Sequence, residues 1–269
     1  TAAGQAITGV GFQPDFVWGK SILVTNNHQL IDVPRGVGKV IESNDIDDEA
    51  SDPASSLSSF DSDGFTLAGG SAFNPSGTNN VISYNWKAGT SSGVDFTAGD
   101  ITPSAYSINT TSGFGMYKFT GTGSNGTIAH GLGVTPGLVI VKRIDGTAGW
   151  QVQHRGLSAA TGVLYLNTTH SEQSEAAMFN STTPTSTVFS VGTASETNGS
   201  GNEYIAYVWA PVRGYSQFGK FKGNAEASSG TFVYTGFRPA YVLVKAINYT
   251  AAWNMFDSKR IGYNPTNKV

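Results

Sequence analysis

The sequence predicts an all-β protein built from tandem β-sandwich modules, jelly-roll-like in outline. Three observations carry this. Only 13 % of residues are charged, against 12 % aromatic and 34 glycines, where soluble domains average nearer a quarter charged. Aromatic and β-branched residues suit pleated, half-buried surfaces, and Gly and Asn suit turns. Short apolar runs recur between Gly, Asn, Pro and Ser clusters, the spacing of sandwich or barrel strands rather than of βαβ units. Finally, the chain repeats itself: GFQPDFVWGK at 11–20 returns as GVTPGLVIVK at 133–142 and GFRPAYVLVK at 236–245. Internal repetition fixes architecture before any single residue does.

Each copy opens on Gly, two variable residues and Pro, followed by a mostly apolar run closed by Lys. Pro14, Pro136 and Pro239 stand 122 and 103 residues apart, each just before a strand, where a missing N–H does no damage. The runs Phe16-Val17-Trp18, Leu138–Val141 and Tyr241–Val244 do not alternate, which predicts strands buried on both faces or central strands of a sandwich. Next come Asn27–Asp32, Gly149–His154 and Ala252–Asp257 in matching positions. Asp63–Leu67 then matches Thr187–Val191, and Val81–Trp86 matches Tyr204–Trp209. Aromatic segments at Phe114–Phe119 and Phe218–Lys222 open the second and third copies, and the first has none. The one helix candidate is 171–180, with Ser171 able to cap it; a loop fits that stretch equally well.

The predicted organisation is therefore a first β module at 1–88, without its opening strand, and a Ser/Thr/Gly-rich linker at 89–112. A second module follows at 113–214, then part of a third at 215–269. With no initiator Met and a third copy that stops after its second strand, the expectation is a piece of a longer polypeptide.

Composition narrows function. A net charge of −3 without Lys/Arg clusters gives no phosphate-binding surface, so no nucleic-acid partner is expected. No apolar run approaches 18 residues, so no membrane-inserted helix is expected. Absence of cysteine excludes disulfides and thiolate metal sites. A particle assembled in a reducing cytoplasm and exposed outside later fits that usage.

Signals for catalysis are weak. His28, His130, His154 and His170 show no metal-ligand spacing, and no Gly-x-Ser-x-Gly elbow occurs. His154 occupies the repeat position held by Asp32 and Asp257, which suits hydrogen bonding better than catalysis. The acidic run 42–52 and Asp61-Ser62-Asp63-Gly64 offer ligand-type oxygens for Ca²⁺ without the spacing of a Ca²⁺ loop. Two carboxylates for glycoside hydrolysis, Asp45 and Asp61 for instance, would have to meet in space. Sequons at Asn109, Asn125, Asn167, Asn180, Asn198 and Asn248 carry meaning only in a glycosylating pathway. Trp86 and Trp209, with Tyr84 and Tyr207, read as core. Trp150 and Trp253 follow Gly or Ala in a turn-like context; core is the first reading for them too, and they are the candidates for stacking on a glycan.

The motifs GFQPDFVW (11–18), SFDSDGFTL (59–67) and NWKAG (85–89), with HGLGVTP (130–136) and FVYTGFRPA (232–240), resemble a repeat domain of tail-fibre-like virion proteins of marine and cyanobacterial bacteriophages. The likeness covers nearly the whole chain and departs from the pattern at Gly19. It implies a structural or adhesive role with no catalytic residue, no cofactor, and assembly as a homotrimer with other virion proteins. The reading is then a phage virion structural protein on the particle exterior, a tail fibre or a capsid-attached fibre or decoration. It would present an adhesive surface for host attachment, with a cell-surface glycan as one possible partner. The alternatives are a subunit of an extracellular filament or surface layer, or a carbohydrate-binding module of a larger glycan-active protein.

Overall fold

The computed structural model describes residues 4–51, 56–69, 73–74, 80–226 and 228–260. It is all-β, with sandwich modules and two one-turn helices. Module 1 holds β1 (Gln5–Thr8), β2 (Phe16–Ser21), β3 (Gln29–Asp32), β4 (Lys39–Glu42), β5 (Ala50–Ser51), β6 (Leu57–Asp61), β7 (Gly64–Leu67) and β8 (Val81–Trp86). One sheet runs β5-β4-β3-β2-β8; the other runs β1-β7-β6. Module 2 holds β9 (Ala105–Asn109), β10 (Phe114–Thr120), β11 (Gly126–Ala129), β12 (Leu138–Arg143), β13 (Gln151–His154), β14 (Gly162–Tyr165) and β15 (Gln173–Ser174). It continues with α1 (Ala176–Phe179), β16 (Val188–Val191), α2 (Ser195–Asn198) and β17 (Glu203–Trp209). Its large sheet runs β15-β14-β13-β12-β17-β10-β9, faced by β11-β16. Module 3 contributes one hairpin, β18 (Tyr241–Val244) and β19 (Asn254–Asp257).

The repeat seen in sequence is a repeat of strand register. Phe16 lies opposite Asp32, Leu138 opposite His154 and Tyr241 opposite Asp257, all antiparallel. On the other edge Phe16 faces Trp86 and Leu138 faces Trp209. Even the connecting bonds recur: Val33 N–H to Asp15 C=O, Arg155 to Gly137 and Ser258 to Ala240.

The non-alternating runs are explained by two cores, one on each sheet face. In module 1, Val17, Ile31 and Val40 pack on Phe65, Leu67 and Phe73 inside its own sandwich. In module 2, Val139, Val141 and Val208 pack with Tyr117, Phe119 and Phe189. The opposite faces meet in a third core shared by all modules: Phe16, Trp18, Phe114, Tyr207, Trp209 and Met255, with Trp86 and Tyr241 packed against it. Successive side chains of a strand point to opposite faces, so a strand between two cores is apolar throughout. Rings dominate the shared core, with Phe16–Tyr207 centroids 4.7 Å apart and Trp86–Trp209 6.1 Å apart. Gly19 departs from the Val of the other copies because the Phe73 ring occupies the space where its Cβ would stand.

One expectation needs correction. The stretch 89–112 is no linker. Thr90 bridges to Ile108, β9 pairs with β10, and Phe96, Ile101 and Ile108 are buried in the module 2 core. Three well-spaced apolar anchors outweigh its polar composition. At 171–180, where helix and loop fit the sequence equally well, only the last turn, Ala176–Phe179, is helical, ended by Asn180 in the left-handed conformation (φ 52°). Gln173 and Ser174 pair instead with β14.

Candidate functional site: the seams between modules

The modules are joined by the same contacts used twice, in two groups. In the first group, the Trp150 indole N–H donates to the carbonyl of Glu42, which ends β4 (2.9 Å), and to that of Asp45 (3.1 Å). The Trp253 indole donates to Tyr165, which ends β14 (2.8 Å). Lys142 Nζ donates to the carbonyl of Ile46 (3.1 Å), as Lys245 Nζ does to Thr169 (3.2 Å). Ala148 N–H meets the Ile46 carbonyl, and Ala251 N–H that of Thr169. Glu49 N–H returns to Ile144, and Glu172 N–H to Ile247. Module 2 is thus docked on module 1 by the same atoms that dock module 3 on module 2.

The second group is ionic. Asp32 and Arg35 form a fully buried pair at 2.6 Å, with Glu49 3.4 Å from the same guanidinium. Arg35 also donates from its main chain to Asp32 (3.0 Å) and from Nη2 to the Leu30 carbonyl (2.8 Å). Into this pair module 2 inserts Tyr207, whose hydroxyl donates to Asp32 Oδ2 at 2.6 Å. Module 3 repeats the unit. Arg260 pairs with Asp257 at 2.5 Å and donates to the Met255 carbonyl at 2.6 Å. There module 1 inserts Tyr84, donating to Asp257 Oδ2 at 2.9 Å. Tyr84 and Tyr207 share one repeat position, so module 2 grips module 1 and module 1 grips module 3. The contacts run one way round a ring of three.

Electrostatics follow the burial. Loss of water alone would pull the Arg35 guanidinium down, but Asp32 and Tyr207 hold it above its ordinary value. Tyr207 is pushed well up, chiefly by burial, and stays a donor. Burial would raise Asp257; the Arg260 and Lys259 N–H groups, the Arg260 side chain and Tyr84 outweigh it and hold it low. Lys142 is fully buried and desolvation brings it down to about 8.

The residues singled out by sequence fall as follows. Trp150 is 0 % exposed; its ring packs beside Tyr207 and offers no face to a sugar, so it sits in the core and the glycan-stacking option does not apply to it. Trp253 is half-buried and lines an open groove of about 200 Å³ with Trp18, His28, Asn44 and Leu166. His130 is buried, bonded to Leu132 N–H and facing the Thr185 carbonyl, and its own carbonyl accepts from Tyr117. His154 Nδ1 accepts the Gly156 N–H at 2.9 Å. His170 is exposed beside Thr168. The oxygens proposed for Ca²⁺ serve separate bonds: Asp61 accepts from Ser59 and Thr66, Asp63 from Gly9 and Gly11, and Glu42 from Asn27. Asp52 lies outside the described residues. Among the described residues no group of three or more His, Asp or Glu is placed to hold a metal ion. Asn198 is fully buried and hydrogen-bonded, so its sequon is closed to a glycan.

Sequence reasoning missed the Tyr–Asp–Arg units. The signal was present as Asp-x-x-Arg at 32–35 and 257–260 and Tyr-x-Trp at 84–86 and 207–209, but nothing local joins the two motifs.

Comparison with known proteins adds one result. No curated protein and no solved structure matches the chain. Residues 1–269 match a family described as a domain of unknown function (DUF7483), and the chain belongs to that family.

Proposed function

We propose that this is a structural protein of a bacteriophage particle, on the exterior as a tail fibre or as a capsid-attached fibre or decoration, presenting an adhesive surface for host attachment. The observation that carries the proposal is the doubled seam. Modules joined to one another through repeated tryptophan, lysine and Tyr–Asp–Arg contacts suit a projecting part that must hold its outer loops in place. The virion assignment draws its support from the motif resemblance at 11–18, 59–67 and 130–136. Its proposed partners are further copies of itself, a homotrimer first, and other virion proteins, with a cell-surface glycan as receptor. Many copies on one particle turn weak single contacts into firm attachment.

Electron cryo-microscopy of the native assembly tests this. Density for this chain on a tail tube, baseplate or capsid, with a free outer end, supports the proposal and chooses between tail and capsid. A self-repeating helical polymer with no particle attached overturns it in favour of the filament.

A further inference from the structure

We propose that module 3 is completed by the closing half of a third repeat, continued from the same chain, and that its place is already built by the other residues. This goes beyond the virion reading and does not depend on it. The seam contacts run one way round three modules, and each group is made twice. The third instance of each needs a partner from one place, the second half of module 3.

Three observations mark that place. In the ionic group the unused acceptor position is His154, beside Phe218 (ring centroids 6.3 Å). No Tyr reaches its Nε2 among the described residues. In the carbonyl group the unused donors belong to module 1. His28 stands where Trp150 and Trp253 stand, and among the described residues Lys20 donates to the Ser21 and Val24 carbonyls of its own loop and to no other module. Ile22 is 47 % exposed, where its counterpart Ile144 is 6 % exposed inside a seam. Last, among the described residues β18 has no partner on the edge where β2 holds β8 and β12 holds β17. Val242 is 38 % exposed, while Val17 and Val139 at its position are 0 %.

The same vacancy explains a mismatch between sequence and structure. Phe218–Lys222 matches β10 in sequence but is not a strand. Residues 231–235 match the β11 region and are also coil, with Phe232 84 % and Tyr234 80 % exposed. β10 pairs with β17, and β11 pairs with β16. Both missing partners belong to the closing half. An apolar set this exposed needs cover, and the cover implied by the two built seams is a Phe-bearing strand like β7 or β16 and a Tyr-x-Trp strand like β8 or β17. The same chain is the favoured source because β18 and β19 are already docked, so whatever follows them is delivered at high local concentration.

The test extends the chain in repeat register. Val269 corresponds to Leu166, so residues 167–214 are appended after Val269, and in a second version the matching module 1 segment 45–88. Amide hydrogen exchange is read at 218–222 and 241–244. The proposal expects slowing by about 100-fold or more in at least one version, lost when the appended Tyr and Trp of the Tyr-x-Trp strand are changed to Ser. Unchanged exchange in both versions overturns it. Protection of 241–244 in the unextended chain that grows with protein concentration, together with dimer in sedimentation, also overturns it and assigns the place to a second copy.

Discussion

Replacing Tyr207 by Phe removes one oxygen and leaves the ring, so its cost reports on the hydroxyl alone. That hydroxyl is one of three donors to a carboxylate with no solvent exposure; the others are Arg35 Nε at 2.6 Å and Arg35 N–H at 3.0 Å. A hydrogen bond to a charged group contributes about 1.5–3 kcal/mol. Two donors remain and the void is a single atom, so the expected cost is about 2 kcal/mol. For a chain of this size that lowers Tm by roughly 4–8 °C. Asp32→Asn is expected to cost more, about 3–5 kcal/mol, because it strands a buried guanidinium; Glu49 at 3.4 Å softens the loss. Tyr84→Phe provides the internal control. Its acceptor pair, Asp257 and Arg260, is 7 % and 18 % exposed, so water replaces part of the bond and about 1 kcal/mol is expected. Urea denaturation followed by tryptophan fluorescence measures all three, since Trp18, Trp86 and Trp209 report from the shared core. A double-mutant cycle between Tyr207→Phe and Asp32→Asn isolates the contact. A coupling energy below about 0.5 kcal/mol, or a Tyr84→Phe cost equal to that of Tyr207→Phe, would refute the reasoning.

Four further outcomes are expected. Trp150→Phe should cost about 3 kcal/mol by denaturation, since a fully buried indole loses two carbonyl partners, and Trp253→Phe about half that, since it is half-buried and loses one. Tyr241→Phe should be neutral or stabilising by up to about 1 kcal/mol, because its hydroxyl is buried without a partner among the described residues and Phe16 already fills that repeat position; a lower Tm would count against the core described here. Gly19→Val should cost about 1–3 kcal/mol by overlap with Phe73, and pairing it with Phe73→Ala should recover part of the loss. Stability should rise by about 2 kcal/mol from pH 8 to pH 10. In that window the unfolded chain holds a proton on Lys142, whose ordinary value is 10.5, while the folded lysine, brought down to about 8, has released it. Above pH 10 the trend reverses, because Tyr117 and Tyr207 are raised in the fold and unfolding lets them ionise. Lys142→Met should remove most of the rise, leaving the smaller part due to Lys20 and Lys245, which burial also lowers, and a flat profile in the unmodified chain would contradict the burial argument.

What the sequence disclosed was whatever recurs along the chain. Pro, the apolar run and Lys return at fixed offsets, and the structure gives them one register in three modules. Unbroken apolar runs announced burial on both faces, and β2 and β12 have it. What stayed hidden depends on where distant residues meet. Tyr207 and Asp32 are 175 residues apart, and no periodicity links them. The polar stretch at 89–112 concealed three buried anchors because composition averages over them. Trp150 followed a Gly in a turn-like context, and what buries it is the main chain of another module.

The shared core explains why the repeats diverged where they did. Positions facing a module's own sandwich keep small apolar residues, Val17 and Val139, and Val242 stands at the same repeat position in module 3. Positions facing the ring of modules carry Phe16, Leu138 and Tyr241, three different shapes at one repeat site. Three identical large rings brought together around one centre would compete for the same space, and close packing punishes even one surplus methylene. Asp32, His154 and Asp257 vary in the same way. A carboxylate stands opposite each Tyr that is present and an imidazole at the position without one. Divergence at these sites is what a ring folded from one chain permits and a ring of identical subunits does not. Each seam can then be tuned separately, and its strength read separately by the substitutions above.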